Sequence, residues 1–233
     1  MEALAKSISL LGVVALSFMP LAQAASPGHS GLFAKADAAD TAASNAAGMT
    51  RLEGTHMTAQ GIIAQGFSEF EVDDELTDVD GGNPDDDDDP VAIPSFYYVR
   101  PIINDDWRLG LSVFVPTGFG SDYGGSWAGR YYSDSYSLVY VSFTASLAYR
   151  LNEHLSLGFT AGANYTYSET EVKINNIGMD VPDGRLEYEA DAIGFSPAVS
   201  MLYEFSDKTR VALGYVAEVS TDLDGDVKLK NLG

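Results

Sequence analysis

From Leu138 to Tyr167 apolar and small polar residues alternate with a period of two. Val139, Val141, Phe143, Ala145, Leu147, Tyr149 and Leu151 fall on one side, and Tyr140, Ser142, Thr144, Ser146, Ala148 and Arg150 on the other. After Asn152-Glu153-His154 the pattern resumes, with Leu155, Leu157, Phe159, Ala161, Ala163, Tyr165 and Tyr167 set against Ser156, Gly158, Thr160, Gly162, Asn164 and Thr166. Successive side chains of a strand point to opposite faces, so this is a hairpin with one apolar face. That face either covers a protein core or faces lipid. Similar runs at 56–67, 95–103, 107–117, 192–205 and 209–223 bring the predicted strands to seven, and no helical periodicity competes with them. The fold class is all-β.

The connections decide what the apolar face meets. Asn104-Asp105-Asp106, Asn152-Glu153-His154 and Ser206-Asp207-Lys208 are tight turns, whereas the links 68–94, 118–137 and 169–191 are long. Short and long connections alternate strictly, as in an up-and-down antiparallel barrel with short periplasmic turns and long external loops. The strands reach the length of about 9–11 residues that a tilted strand needs to cross a bilayer. Trp107, Tyr149 and Tyr203 lie beside the short turns and Tyr165 and Tyr167 toward the long loops, the positions of two aromatic girdles. The wall is predicted to face lipid as a transmembrane β-barrel. Seven is an odd number for such a barrel, so the chain is expected to be the N-terminal portion of a longer one.

The N-terminus carries Lys6, an apolar stretch from Ile8 to Leu21 and Ala22-Gln23-Ala24, the three parts of a secretory signal peptide. The expected organisation is a signal peptide at 1–24, a small irregular segment rich in alanine and glycine at 25–54, and the incomplete wall at 55–233.

Composition narrows the function. Among 233 residues there are 34 acids and 13 bases, a net charge of −21, which disfavours a nucleic-acid partner. There is no cysteine, and His29, His56 and His154 are scattered, so neither a metal site nor a cofactor is expected. No strand pair supplies a nucleophile beside a base, and no enzymatic activity is expected. Asp224-Gly225-Asp226 lacks the ligand spacing of a calcium loop. The acidic run at 69–89 reads as a solvated, self-repelling loop, with divalent-cation binding the alternative. Phe114, Leu202 and Val216 share parity with the lumen and are candidates for an apolar path, while the small residues opposite the apolar face leave the lumen open. Arg100, Arg130 and Arg150 read as interface anchors rather than partners for a carboxylate. Pro116 and Gly118, in VFVPTGFG, interrupt regular strand pairing, either as a kink or because the strand ends there. Pro197 in GFSPAVS reads as a bulge that helps the barrel curve.

Several segments taken together resemble the FadL-type outer-membrane transporters of long-chain fatty acids and other hydrophobic compounds. Asn45-Ala46-Ala47-Gly48 is similar to the Asn-Pro-Ala-Gly segment that follows the family's N-terminal plug. The stretch from Pro94 to Trp107, GLSVFVPTGFGSDY, WAGRYY, LAYRLNEHLSLGFTAGANY and DKTRVALGYVAEVSTDLDGD look like successive later segments, in order. Two departures stand out: Ala46 replaces the family proline, and Tyr215-Val216-Ala217-Glu218 lacks the arginine of the family's seventh strand. The resemblance implies a fourteen-stranded barrel enclosing a small hatch, with this chain supplying the hatch and about half the wall. It implies passive uptake of hydrophobic compounds, with Pro116, Gly118, Phe119 and Gly120 at a kink in the third strand through which ligand leaves sideways. The expected partners are hydrophobic small molecules, outer-membrane lipid and lipopolysaccharide, with the full-length protein a monomer. A structural or polar-solute porin is the alternative, and a secreted β-sandwich binding module a further one.

Overall fold

The computed structural model describes residues 33–232, apart from 67–69, 74, 76, 85–88 and 177–180. The predicted signal peptide lies outside the described residues. Among the described residues eight strands form one antiparallel sheet: β1 (His56–Ala64), β2 (Val91–Pro101), β3 (Trp107–Asp122), β4 (Ser135–Arg150), β5 (Leu155–Ile174), β6 (Gly184–Ser206), β7 (Thr209–Val216) and β8 (Asp224–Lys230). β1 to β7 pair in sequence order, the up-and-down topology of a barrel wall. β8 returns to β6, so β7 and β8 occupy successive lengths of the same edge. The seven predicted strands are all present, but the last, predicted over 209–223, ends at Val216, and β8 was not predicted.

One face of this sheet is apolar and uncovered. Val113, Val139, Phe143, Leu147, Phe159, Phe195 and Val199 are all exposed large hydrophobics along it. An apolar surface of this extent in water would be a binding or aggregation surface; in a bilayer it is the lipid contact. Trp107 packs against Tyr149 with the rings tilted and their centroids 4.6 Å apart, and Tyr203 meets Phe205 edge-on at 4.7 Å, an aromatic row beside the short turns.

The opposite face holds the hatch. Residues 33–52 fold as a short helix α1 (Thr41–Ser44) followed by a 3-10 helix (Ala46–Arg51), packed against β2 to β6. Ala39, Ala42, Ala46, Met49 and Leu52 make one buried cluster with Tyr97, Val99 and Ala148 of the wall, and Phe114 packs on its edge.

Five strands run farther out than predicted, β2 and β4 by three or four residues and three others by five or more. β3 continues through Pro116 and Gly118 to Asp122, β5 reaches Ile174 and β6 begins at Gly184. Their outer ends carry charged residues, so no apolar face marks them in the sequence. Ion pairs hold the outer ends of β5 and β6 instead: Arg185 to Glu171 at 2.8 Å, Lys228 to Glu189 at 2.9 Å and Lys230 to Glu187 at 2.7 Å. The expected bulge at Pro197 is absent, because the β5–β6 register runs through Ala161 and Pro197 without a shift. The break lies on the other side of β6, where β7 ends at Val216 and Ala217 N–H donates to the Pro197 carbonyl at 2.9 Å.

The acidic loop is only partly the solvated segment expected. Phe70 meets Trp127 edge-on at 5.2 Å, Ala128 N–H donates to the Gly82 carbonyl at 3.0 Å, and Arg130 bonds the Asp80 carbonyl. One aromatic ring and a Gly-Gly step dock this loop on the next, an anchor that a tally of charges does not register.

Candidate functional site

The site begins with a bulge. β3 pairs with β4 through Phe114 and Ser142, then resumes through Thr117 and Tyr140, so Val115 and Pro116 stand together against Val141. Proline has no N–H for the ladder, which makes the extra residue tolerable at this point. The bulge inverts the parity of everything beyond it. Phe114 faces the lumen before it, and Thr117 and Phe119 face the lumen after it. Gly118 and Gly120, in register with Val139 and Ser137, turn outward.

The same bend parts β3 from β2. Their ladder runs only from Pro101 and Arg108 to Phe96 and Val113, while β2 goes on to Val91 paired with β1 alone. Between the diverging strands lies a cleft of about 800 Å³. Ala64, Val91 and Ile93 on the inner face of the β1–β2 hairpin form one wall, and Gly118, Gly120 and Val139 on the outer face of β3–β4 form the other. The cleft is therefore a slot between overlapping layers of wall, and Phe119 and Tyr136 stand at its lumen side. The two glycines differ. A Cβ on Gly118 meets nothing nearer than the Leu138 carbonyl at 3.5 Å, whereas one on Gly120 would sit 2.7 Å from the Tyr136 carbonyl oxygen. Gly118 keeps space open, and Gly120 allows two backbones to approach.

Below the slot the wall grips the hatch. Ser146 Oγ donates to the Ala42 carbonyl at 2.7 Å, Ala47 N–H to Ser200 Oγ at 3.0 Å, and the Thr50 and Ser156 hydroxyls pair at 2.7 Å. Arg108 Nε donates to the Leu52 carbonyl at 3.0 Å, Arg150 bonds the Thr50 carbonyl, and Arg51 pairs with Glu204. Gly110 and Gly158 lie flat against it: an added Cβ would fall 2.5 Å from Met49 Sδ and 2.2 Å from Ala47 N respectively. At this level the small lumen residues are a seat for the hatch, and the expectation that they hold the lumen open is corrected. Arg150 is not an interface anchor but a hatch ligand, and Arg130 bonds Asp183 at 3.1 Å between outer loops. Arg100 stays exposed, its Nε donating to the neighbouring Pro101 carbonyl at 3.2 Å.

The remaining candidates are placed as follows. Asn45, Ala46, Ala47 and Gly48 are buried within the hatch, where Asn45 Nδ2 donates to the Phe33 carbonyl at 2.7 Å. Gly48 lies so close to Ala36 that a Cβ would fall 2.5 Å from that residue's own. Phe114 packs beside Tyr97, ring centroids 6.1 Å apart. Leu202 is fully buried opposite Ser156, level with the hatch rather than on a path above it. Val216 is exposed at the last position of β7. Among the described residues no cluster of side chains is arranged to hold a metal ion. Sequence reasoning missed Ser146, Ser156, Ser200 and Arg108, whose partners are main-chain atoms remote in sequence, and missed β2 as a wall of the slot.

An antiparallel wall with a lipid-facing side, aromatic rows and an internal hatch defines a β-barrel protein of the outer membrane. The family model described as outer membrane protein transport protein (OMPP1/FadL/TodX) matches residues 17–233, and the chain belongs to that family. The long-chain fatty acid transport protein of Escherichia coli is 27% identical over 156 residues, covering 58% of this chain and 35% of the relative. Outer membrane protein P1 of Haemophilus influenzae is 25% identical over 157 residues, covering 56% and 34%. The chain thus spans about a third of the length of these curated relatives. Among solved structures, a Pseudomonas aeruginosa FadL homologue matches with a TM-score of 0.59 at 19% identity, over 78% of this chain and 47% of that one. The Pseudomonas putida toluene transporter TodX matches with a TM-score of 0.54 at 16% identity, over 82% and 56%. At such identities these two likenesses establish the fold alone.

Proposed function

We propose that the protein takes up hydrophobic compounds passively across the outer membrane, and that its cargo leaves the lumen sideways through the slot between β2 and β3. The observation that carries this reading is the parted ladder: the β2–β3 pairing stops at Phe96 and Val113, and a cleft of about 800 Å³ lies between the strands beyond it. Pro116 supplies the bend, Gly118 the clearance, Gly120 the close packing of the bent strand and Phe119 an apolar lumen rim.

The chemistry is partition. A molecule entering from outside meets the hatch below, where buried side chains and hydrogen bonds close the direct way down. The slot offers Val91, Ile93, Val115 and Val139 instead, and it opens on the lipid-facing side of the wall. Each buried methylene gains about 0.8 kcal/mol over water, so transfer into the bilayer needs no cofactor and no energy input. The apolar outer face meets outer-membrane lipid, the charged outer ends of β5, β6 and β8 meet lipopolysaccharide, and the closed barrel works as a monomer.

The test fills the slot without touching the ladder. Gly118→Trp in the full-length protein should lower uptake of radiolabelled oleate or an alkylbenzene about tenfold, a barrier of about 1.4 kcal/mol, while heat-modifiable gel mobility stays that of the wild type. Unchanged uptake removes the slot from the mechanism. Leakage of polar solutes with no uptake of either hydrophobic compound favours the porin reading over transport.

A further inference from the structure

The two walls of the slot are joined again at its outer end. The slot reaches Gly66 and Asp89, the roots of the loop between β1 and β2, and Asp122 and Ser135, the roots of the loop between β3 and β4. Contacts between these loops therefore tie one wall to the other. Phe70 meets Trp127 edge-on at 5.2 Å, the Ala128 N–H donates to the Gly82 carbonyl at 3.0 Å, and Arg130 takes the main-chain carbonyl of Asp80. Gly81 adopts φ +136°, and a Cβ on it would fall 1.9 Å from the Ser126 carbonyl oxygen, so the two backbones meet only because this residue is glycine. The receiving side is itself fixed. Trp127 is buried, its Nε1 donates to the Ser133 carbonyl at 2.8 Å, and Arg130 Nε pairs with Asp183 at 3.1 Å.

The rings continue inward from this junction. Trp127 lies 5.1 Å from Tyr123, Tyr123 lies 6.2 Å from Tyr136, and Tyr136 lies 6.2 Å from Phe119. Four ring contacts in series thus run from Phe70 in one loop to the lumen rim of the slot. We infer that Phe70, Gly81, Trp127 and Arg130 form a clasp, a set of positioning residues that fix the width of the slot and so select cargo by girth. This rests on the slot being the exit. Once the ladder has parted at Phe96 and Val113, the loop contacts bound how far the outer halves of β2 and β3 stand apart. A slim chain passes with the clasp shut, whereas a broad molecule passes only in the fraction of molecules in which it is open. Uptake of a broad ligand therefore follows the open population, and uptake of a slim one does not.

The experiment uses the full-length protein in the outer membrane of intact cells, with radiolabelled dodecane and phenanthrene as slim and broad uncharged probes. Phe70→Ala removes the ring that docks on Trp127 and should raise phenanthrene uptake about fivefold, the scale of one lost aromatic pair, with dodecane uptake unchanged. Hydrogen exchange of the Ala128 amide, whose acceptor lies across the clasp, should accelerate in the same variant. Phe70→Tyr keeps the ring and should behave as the wild type, and Gly81→Val should act like Phe70→Ala. Heat-modifiable gel mobility checks that each variant has assembled. Faster Ala128 exchange with an unchanged ratio of phenanthrene to dodecane uptake overturns the inference, as does an equal rise in both. Unchanged exchange in both Phe70→Ala and Gly81→Val overturns it too, since the contacts would then hold nothing. If Gly118→Trp slows neither probe, the exit itself fails and the clasp with it. If Gly118→Trp slows both while Phe70→Ala alters only the exchange, the exit stands and selection by girth alone is lost.

Discussion

Gly158→Ala isolates the hatch from the wall that holds it. Gly158 sits in β5 with its hydrogens toward the lumen, and a Cβ there would lie 2.2 Å from Ala47 N, 2.6 Å from Ser200 Oγ and 2.7 Å from the carbonyl carbon of Ala46. The obstructing atoms are mostly backbone, so no side-chain rotation relieves the contact, and the 3-10 helix must retreat by about 1 Å to reach ordinary van der Waals separation. Overpacking of this kind costs about 1–3 kcal/mol. The retreat also strains the Ala47–Ser200 and Thr50–Ser156 hydrogen bonds, at about 0.5–1.5 kcal/mol each. A total of about 2–6 kcal/mol corresponds to a rise of at least about twenty-five-fold in the population with the hatch unseated, at tenfold per 1.4 kcal/mol. Native-state hydrogen exchange of residues 39–52 and tryptic cleavage after Arg51 in the folded barrel both read this population. Gly61→Ala is the control, since nothing lies within 4 Å of the position its Cβ would take. Unchanged exchange in the hatch would refute the reasoning. So would equal destabilisation of β4–β6, which would make Gly158 a requirement of the strand rather than of its cargo.

Three other perturbations probe different links. Replacing either partner of the Arg51–Glu204 pair, both largely shielded, should cost the hatch about 1–3 kcal/mol; a double-mutant cycle with no coupling would refute a latch. Val199→Arg places a charge in the middle of the lipid-facing side of β6 and should cost about 2–4 kcal/mol in refolding into vesicles; a cost near zero would argue against lipid contact there. The ladder of β6 and β8, outside the membrane, should be pH-sensitive in both directions. The hydrogen bond from Lys230 holds the Glu187 carboxyl below its usual 4.5, so that contribution is present above pH 4.5 and lost as pH falls through the lower folded value. Hydrogen bonding to Glu189 raises the Lys228 ammonium above 10.5, so that contribution is complete below pH 10.5 and lost as pH rises through the higher value. Amide exchange in residues 224–230 should accelerate at both extremes, and a flat profile would refute the role of the pairs.

The lipid-facing wall was legible because lipid imposes one strong condition, an apolar residue at every second position, and Val139 to Leu147 meets it without interruption. The outer ends of β3, β5 and β6 were not legible, since Glu169, Glu171, Glu187 and Glu189 alternate with residues of no consistent character and resemble loop. Pro116 showed in the sequence that a ladder is broken, because the missing N–H is a local property. What the break does depends on β2, which the sequence places beside β3 without saying how far the two stay paired. The end of β7 at Val216 carries no such mark: no proline or glycine falls within 217–223, and apolar residues continue through it. The seat of the hatch was hidden for another reason. Gly158 and Ala47 are far apart in the chain, and a glycine with a close neighbour looks like any other until that neighbour is known.

The way the wall holds the hatch has a consequence for how the sequence can drift. Ser146, Arg108, Arg150 and Ser200 bind the Ala42, Leu52 and Thr50 carbonyls and the Ala47 amide, atoms that every ordinary residue possesses. The lock reads the path of the key, and few of its teeth. Substitutions among the hatch alanines that preserve size and backbone course should be accepted one at a time, while changes in the distant serines and arginines are felt at once. Inheritance of this plug is thus written largely in the strands around it.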